Sequence, residues 1–177
     1  PFNIMYNQEY ARIYDMLHAD KEYDAEADFI YRMYHEYTDL RLQDILDVGC
    51  GTGNHLPYLA AKSEDIKILG IDPSPSMIHV ARQKEVRNTE FVVGELSKMN
   101  LINCYQLGIS LFNVVNHVNK LKDLKTFLRS IYYRIDYGGV FIFDCLNGVA
   151  ATIDEPRDRK ITKQVQNKII NISSKCD

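Results

Sequence analysis

A chain of 177 residues can build one globular domain with a real core but is too short to make two of ordinary size. Its formal net charge of -3 leaves no basic excess for a phosphate backbone, and no apolar run nears the roughly 20 residues that span a bilayer, which argues against nucleic acid and membrane as partners. Cys50, Cys104, Cys145 and Cys176 lack CxxC spacing and the opening PFNIMYNQEY lacks an export pattern, so reduced thiols in the cytoplasm are expected.

Tyr6, Tyr10 and Tyr14 recur every four positions, and Phe29, Met33 and Tyr37 do so again beyond the polar HADKEYDAE. Two helices with a polar joint are expected there. Short apolar runs then alternate with helical stretches: DILDVGC, LPYLAAK, IKILGID, SMIHVARQK, TEFVVG, YQLGISLF, LKTFLRSIYYRI and GGVFIFDCL. That alternation predicts an α/β fold, a doubly wound and mostly parallel sheet with helices on both faces. Pro73 and Pro75 stop the second strand and place Ser74 or Ser76 at a helix N-cap. Gly138 and Gly139 are expected to mark the break before the fifth strand, GVFIFD. Past the charged DEPRDRK, the stretch ITKQVQNKIINISSKCD fits helical spacing through Ile161, Val165 and Ile169 as well as it fits an irregular strand. The expected organisation is a helical lid over residues 1–40, an α/β core over 41–149, and the start of a cap or an irregular tail over 150–177, all in a single domain.

The chemistry concentrates in LDVGCGTGNH, where Gly49, Gly51 and Gly53 follow an apolar strand at alternate positions. Glycine permits positive φ and leaves no Cβ to collide with a bound molecule, and the following helix offers free N–H groups. Asp72 ends the second strand roughly 20 residues on, where an acid in a doubly wound fold accepts hydrogen bonds from ribose hydroxyls. Nicotinamide-binding loops read GxGxxG, whereas these glycines run GxGxG behind the acid Asp47, which disfavours an oxidoreductase.

DVGCGTG resembles the first motif of the class I S-adenosylmethionine-dependent methyltransferases, and the likeness runs from about Tyr10 to Asn147. IDPSPSMI looks like the second motif, which implies Asp72 on the ribose, Met77 against the adenine, and Pro73 among the cofactor-binding residues. FVVGEL resembles the third, implying that Gly94, Glu95 and Leu96 read the adenine edge, with Glu95 where aspartate is commoner. LFNVVNHV falls where the fourth strand opens on the reaction site, with Leu111 and Phe112 assigned to the cofactor. Within that class, YARIYDMLHADKEYDAEA is similar to the small-molecule N-methyltransferases that dimethylate nucleotide-linked amino sugars, through Tyr14, Asp15, Lys21 and Tyr23. The likeness implies S-adenosylmethionine as cofactor, a small-molecule amine as acceptor, no metal, and Tyr14 and Tyr23 in the cofactor wall.

Methyl transfer to an amine requires a free lone pair on nitrogen and alignment with the donor. His117 falls on a position where members of that group carry a histidine, and imidazole changes charge near neutrality, so it is the candidate to take a proton or hold the amine. His55 reads as a surface residue, and Asp144 either orients an acceptor or caps the next segment. The class normally completes its sheet with a sixth and a seventh strand, which this sequence does not provide, so a fragment is expected. An open edge on the fifth strand would then favour a homodimer or lower the stability. A catalytically silent cofactor-binding module and a small-molecule O-methyltransferase are the competing readings.

Overall fold

The computed structural model describes residues 8–146, 159–165 and 168–174. Helices α1 (Gln8–Leu17) and α2 (Tyr23–Tyr37) precede β1 (Asp44–Val48), α3 (Leu56–Ala60), β2 (Lys67–Asp72), α4 (Pro75–Arg82) and β3 (Thr89–Val93). There follow β4 (Tyr105–Ser110), α5 (Leu121–Tyr132) and β5 (Ile135–Phe143), with 3₁₀ turns at Leu96–Lys98 and Val114–His117. The five strands form one parallel sheet in the order β3-β2-β1-β4-β5, as the alternating pattern predicts.

The central strands are apolar along their length because both faces are covered. Period-two alternation sends Ile45 to one face and Leu46 and Val48 to the other. Ile45 joins Ile68, Leu107 and Ile109 under α2, α3 and α4, while Leu46 and Val48 meet Ile71, Tyr105 and Ile131 of α5 on the opposite side. Each such leucine or isoleucine, exposed by 3% or less, contributes roughly 1.5–3 kcal/mol through burial. Helix α1 lies against α4, and α2 against α3. Ser74 caps α4 by accepting from the Met77 amide at 3.3 Å, with Pro75 in the first turn where its missing N–H costs nothing.

Two expectations need correction. Gly138 and Gly139 lie inside β5 instead of before it: the strand starts at Ile135, and its register against β4 shifts between Tyr105 and Leu107. Gly138 takes φ +82°, which absorbs the extra residues as a bulge. In the tail, β6 (Arg159–Val165) and β7 (Lys168–Ser174) pair antiparallel as a two-stranded sheet of their own, so the strand alternative holds there and the helical one does not. Among the described residues, no helix is long and apolar enough to cross a membrane.

The chain winds outward from β1 to β3 and then returns to lay β4 on the other side of β1. That reversal opens a crevice beyond the carboxyl ends of β1 and β4, the place where open α/β sheets bind ligands.

Candidate functional site

The loop after β1 is held by β2: Gly49 and Cys50 donate their amides to the Ile71 carbonyl at 2.7 and 3.0 Å, and Gly53 donates to Cys50 O at 2.8 Å. All three alternating glycines take positive φ, +82°, +56° and +72° in chain order. They do so for different reasons. A Cβ on Gly49 would meet the Val114 methyls at 2.6 Å, and one on Gly53 would meet the Phe91 ring at 2.8 Å. Nothing lies within 4 Å of the position a Cβ would take on Gly51. Gly53 is thus a packing glycine, and of the expected cofactor residues it alone does not line the cavity described below.

Asp72 turns toward this loop. Its Oδ2 accepts from the Gly51 amide at 2.9 Å and its Oδ1 from the Ser74 amide at 2.8 Å. Each carboxylate oxygen has two acceptor sites, so one on each remains for a ligand hydroxyl. Burial raises the Asp72 pKa, and the two backbone donors and the nearby His117 pull against that rise. Asp47 is 3% exposed, and burial first, then the Asp72 carboxylate, lifts its pKa to about 8. Two adjacent acids in one wall of an open crevice favour a ligand that brings positive charge and hydroxyl donors. Burial also pushes the Cys50 thiol well up, which makes it a poor nucleophile.

The cavity over this loop measures about 1010 Å³. Asp47, Gly49, Gly51, Asp72, Pro73 and Met77 form its floor. Gly94, Glu95 and Leu96 line one end, where Glu95 is paired with Lys98 at 2.8 Å. Leu111, Phe112 and His117 line the side beyond β4, and Tyr14 and Tyr23 reach in from the N-terminal helices.

Several lining residues escaped the sequence reading. His18 continues the every-four spacing one turn past Tyr14, which was the available signal, and its ring packs against Tyr14 and Phe112 at 4.6 and 4.9 Å. Thr52 and Asn54 alternate with the glycines and bind α1: Asp15 accepts from Thr52 Oγ1 at 2.6 Å and from Asn54 Nδ2 at 3.0 Å. Behind that lining, Lys84, in the turn after α4, donates to Thr52 O at 2.7 Å, bonds Asn54, and pairs with Asp15 at 2.9 Å. No local pattern marked Lys84. Tyr23 keeps its hydroxyl on Asn54 at 3.1 Å.

His55 is buried instead of lying on the surface, with Nε2 at 2.6 Å from Glu26, which also pairs with Lys21. Burial lowers its pKa, with the Glu26 partnership acting in the opposite sense. The segment that Asp144 was expected to cap lies, from residue 147 on, outside the described residues. The two Asp144 oxygens reach back to the amides of Phe112, at 2.7 Å, and Asn113.

Comparison with known proteins agrees with this geometry. A family described as a methyltransferase domain matches residues 45–139, more than half of the chain. The dTDP-3-amino-3,4,6-trideoxy-alpha-D-glucopyranose N,N-dimethyltransferase of Streptomyces venezuelae is 27% identical over 142 residues, 79% of this chain and 58% of that protein. The chain therefore spans little more than half the length of that curated relative. The crystal structure of an S-adenosylmethionine-dependent methyltransferase from Clostridium acetobutylicum superposes with TM-score 0.77 at 24% identity, covering 96% of this chain and 69% of that one. A sugar N-methyltransferase from Streptoalloteichus superposes with TM-score 0.73 at 23% identity, over 86% and 61% of the two chains.

Proposed function

The chain belongs to the methyltransferase domain family, and from that premise we propose that it is the cofactor-binding core of an N-methyltransferase acting on a small-molecule amine, with amino sugars the first class to test. S-adenosylmethionine is the cofactor, and the residues fit it. Gly51 offers a bare backbone with open space above it, Asp72 keeps an acceptor free on each oxygen, and the buried Asp47 presents a carboxyl to the cavity. Bound there, the cofactor supplies an activated methyl group on a positively charged sulfur.

Everything else falls to the chain. Asp72 would take the two ribose hydroxyls, Met77 would pack on the base, and Glu95 would meet its exocyclic amine. Tyr14, Tyr23 and Phe112 would supply electron-rich faces to the cationic centre and exclude water from it. An in-line displacement leaves little covalent work to the protein beyond alignment, a dry cavity and removal of one proton from the amine. His117 is the group for that proton: it lines the cavity from the turn beyond β4 and lies close enough to Asp72 to affect its ionisation. The N-methyltransferase relative supports nitrogen as the acceptor atom.

The observation that carries the proposal is the pairing of Gly51's open face with Asp72's two half-occupied oxygens in one crevice. Calorimetric titration with S-adenosylhomocysteine should give one site per chain, and Asp72→Ala should weaken it at least tenfold. Transfer of labelled methyl from S-adenosylmethionine to a panel of amino sugars and other small amines then tests the acceptor. His117→Ala should lower turnover about 100-fold while leaving cofactor affinity within twofold, in line with the usual worth of a general base. Binding without transfer to any amine, or a His117→Ala variant with full turnover, would reject the N-methyltransferase reading.

A further inference from the structure

Phe112 and Asn113 take φ +66° and +62°, two consecutive left-handed residues just past β4. Asparagine tolerates that conformation. For a bulky aromatic residue it is an outlier that persists only when the surroundings enforce it.

The enforcing group is the carboxylate at the end of the neighbouring strand. Asp144 Oδ2 accepts from the Phe112 amide at 2.7 Å, Oδ1 accepts from the Asn113 amide, and the Asp144 amide returns to Ser110 O at 3.3 Å. Adjacent left-handed amides form a small concave anion seat, filled here by the chain's own side chain. The backbone direction that results has two effects on the cavity. The Phe112 ring turns back toward the lid, 4.9 Å from His18 and 6.4 Å from Tyr14, with Lys21 Nζ 5.1 Å from its centre. The turn Val114–His117 starts directly after it and delivers Val114 onto Gly49 and His117 into the cavity.

We propose that Asp144 is a positioning residue of this site: by clamping the Phe112 and Asn113 amides it holds Phe112 left-handed, and so sets the wall that faces the lid and the turn that carries His117. The proposal rests on the methyl-transfer reading for its consequence, but the clamp can be judged without it.

Amide hydrogen exchange on the unmodified chain comes first. The Phe112 and Asn113 amides should exchange at least tenfold more slowly than exposed loop amides such as those near Ile102, and equal rates would overturn the clamp. A double-substitution cycle follows, using Asp144→Asn, Phe112→Gly and the pair, with S-adenosylhomocysteine affinity and thermal midpoint as readouts. Asp144→Asn should weaken affinity about tenfold in the parent chain. In the Phe112→Gly background it should change affinity less than twofold, because glycine adopts positive φ unaided. Effects that multiply, or an Asp144→Asn chain that melts earlier yet binds within twofold of the parent, would overturn the positioning role. Should Asp144→Asn fail to fold, the exchange rates decide. If the parent chain binds no S-adenosylhomocysteine, the methyl-transfer reading fails, and the clamp then stands or falls on whether the thermal shifts of the cycle are non-additive or additive.

Discussion

The three glycines of the β1 loop look alike in sequence and separate sharply in space, so their substitutions should separate too. An alanine at either Gly51 or Gly53 forces a left-handed conformation that costs roughly 1–2 kcal/mol. At Gly53 the new methyl also collides with the Phe91 ring, adding roughly 1–3 kcal/mol of overpacking. Gly53→Ala should therefore be the less stable variant in a urea melt, while Gly51→Ala should keep more stability and lose more S-adenosylhomocysteine affinity. The reverse ranking would mean that the open face of Gly51 is not where the ligand sits. Asp47 makes a second prediction at this scale. Its folded-state pKa of about 8 lies above the ordinary carboxylate value of 3.8, so the folded chain keeps a proton that the unfolded chain releases. Its contribution to stability is present below about pH 4 and is lost as pH rises toward 8. A ligand bearing positive charge favours the ionised acid, so binding should expel a proton near pH 7. Titrations in buffers of different ionisation enthalpy will measure that release, and Asp47→Asn should abolish it.

At the scale of elements, helix α1 is joined to the β1 loop by the Asp15 carboxylate. Asp15 on α1 holds Thr52 and Asn54 of the loop and Lys84 in the turn after α4. Asp15→Ala leaves those donors without their shared acceptor and should cost roughly 1.5–3 kcal/mol, the range for hydrogen bonds to a charged group. The sharper test is local. Hydrogen exchange over α1 should quicken in the variant while the sheet stays protected, and an unchanged α1 would show that this helix is held by its apolar face alone. The elements themselves were legible because parallel strands buried on both faces must be apolar throughout, and because Ser74 and Pro75 announce a helix start. What joins them was not. Glu26 reaches His55 29 positions away, and Lys84 and Asp144 reach Thr52 and Phe112 each 32 positions away, across a strand order that differs from chain order, so no local spacing encodes these contacts. His55 read as a surface residue for the same reason: its partner Glu26 lies in a helix two elements earlier. The β5 bulge was invisible because Gly138 and Gly139 look the same in a turn as in a strand that must shift register.

At the scale of the whole molecule, β5 pairs with β4 on one side, and among the described residues nothing pairs with its other edge. Phe143 near its end is 46% exposed. Open strand edges template association with further chains, and lysine on an edge suppresses it. Light scattering on concentrated protein should therefore detect dimers that Phe143→Lys disperses, and a monomer at every concentration would count against pairing through this edge.

Val114 resting in the space that Gly49 leaves empty has a consequence for how such a protein diversifies. The β1 loop and the turn beyond β4 interlock at that contact, so a bulkier side chain at position 114 would push the β1 loop out of shape. Asn119 faces the same cavity without carrying that interlock, and it can vary with little penalty to the β1 loop. Lineages of this chain should therefore explore new acceptors by exchanging residues beyond the turn, such as Asn119, while inheriting its first residue unchanged.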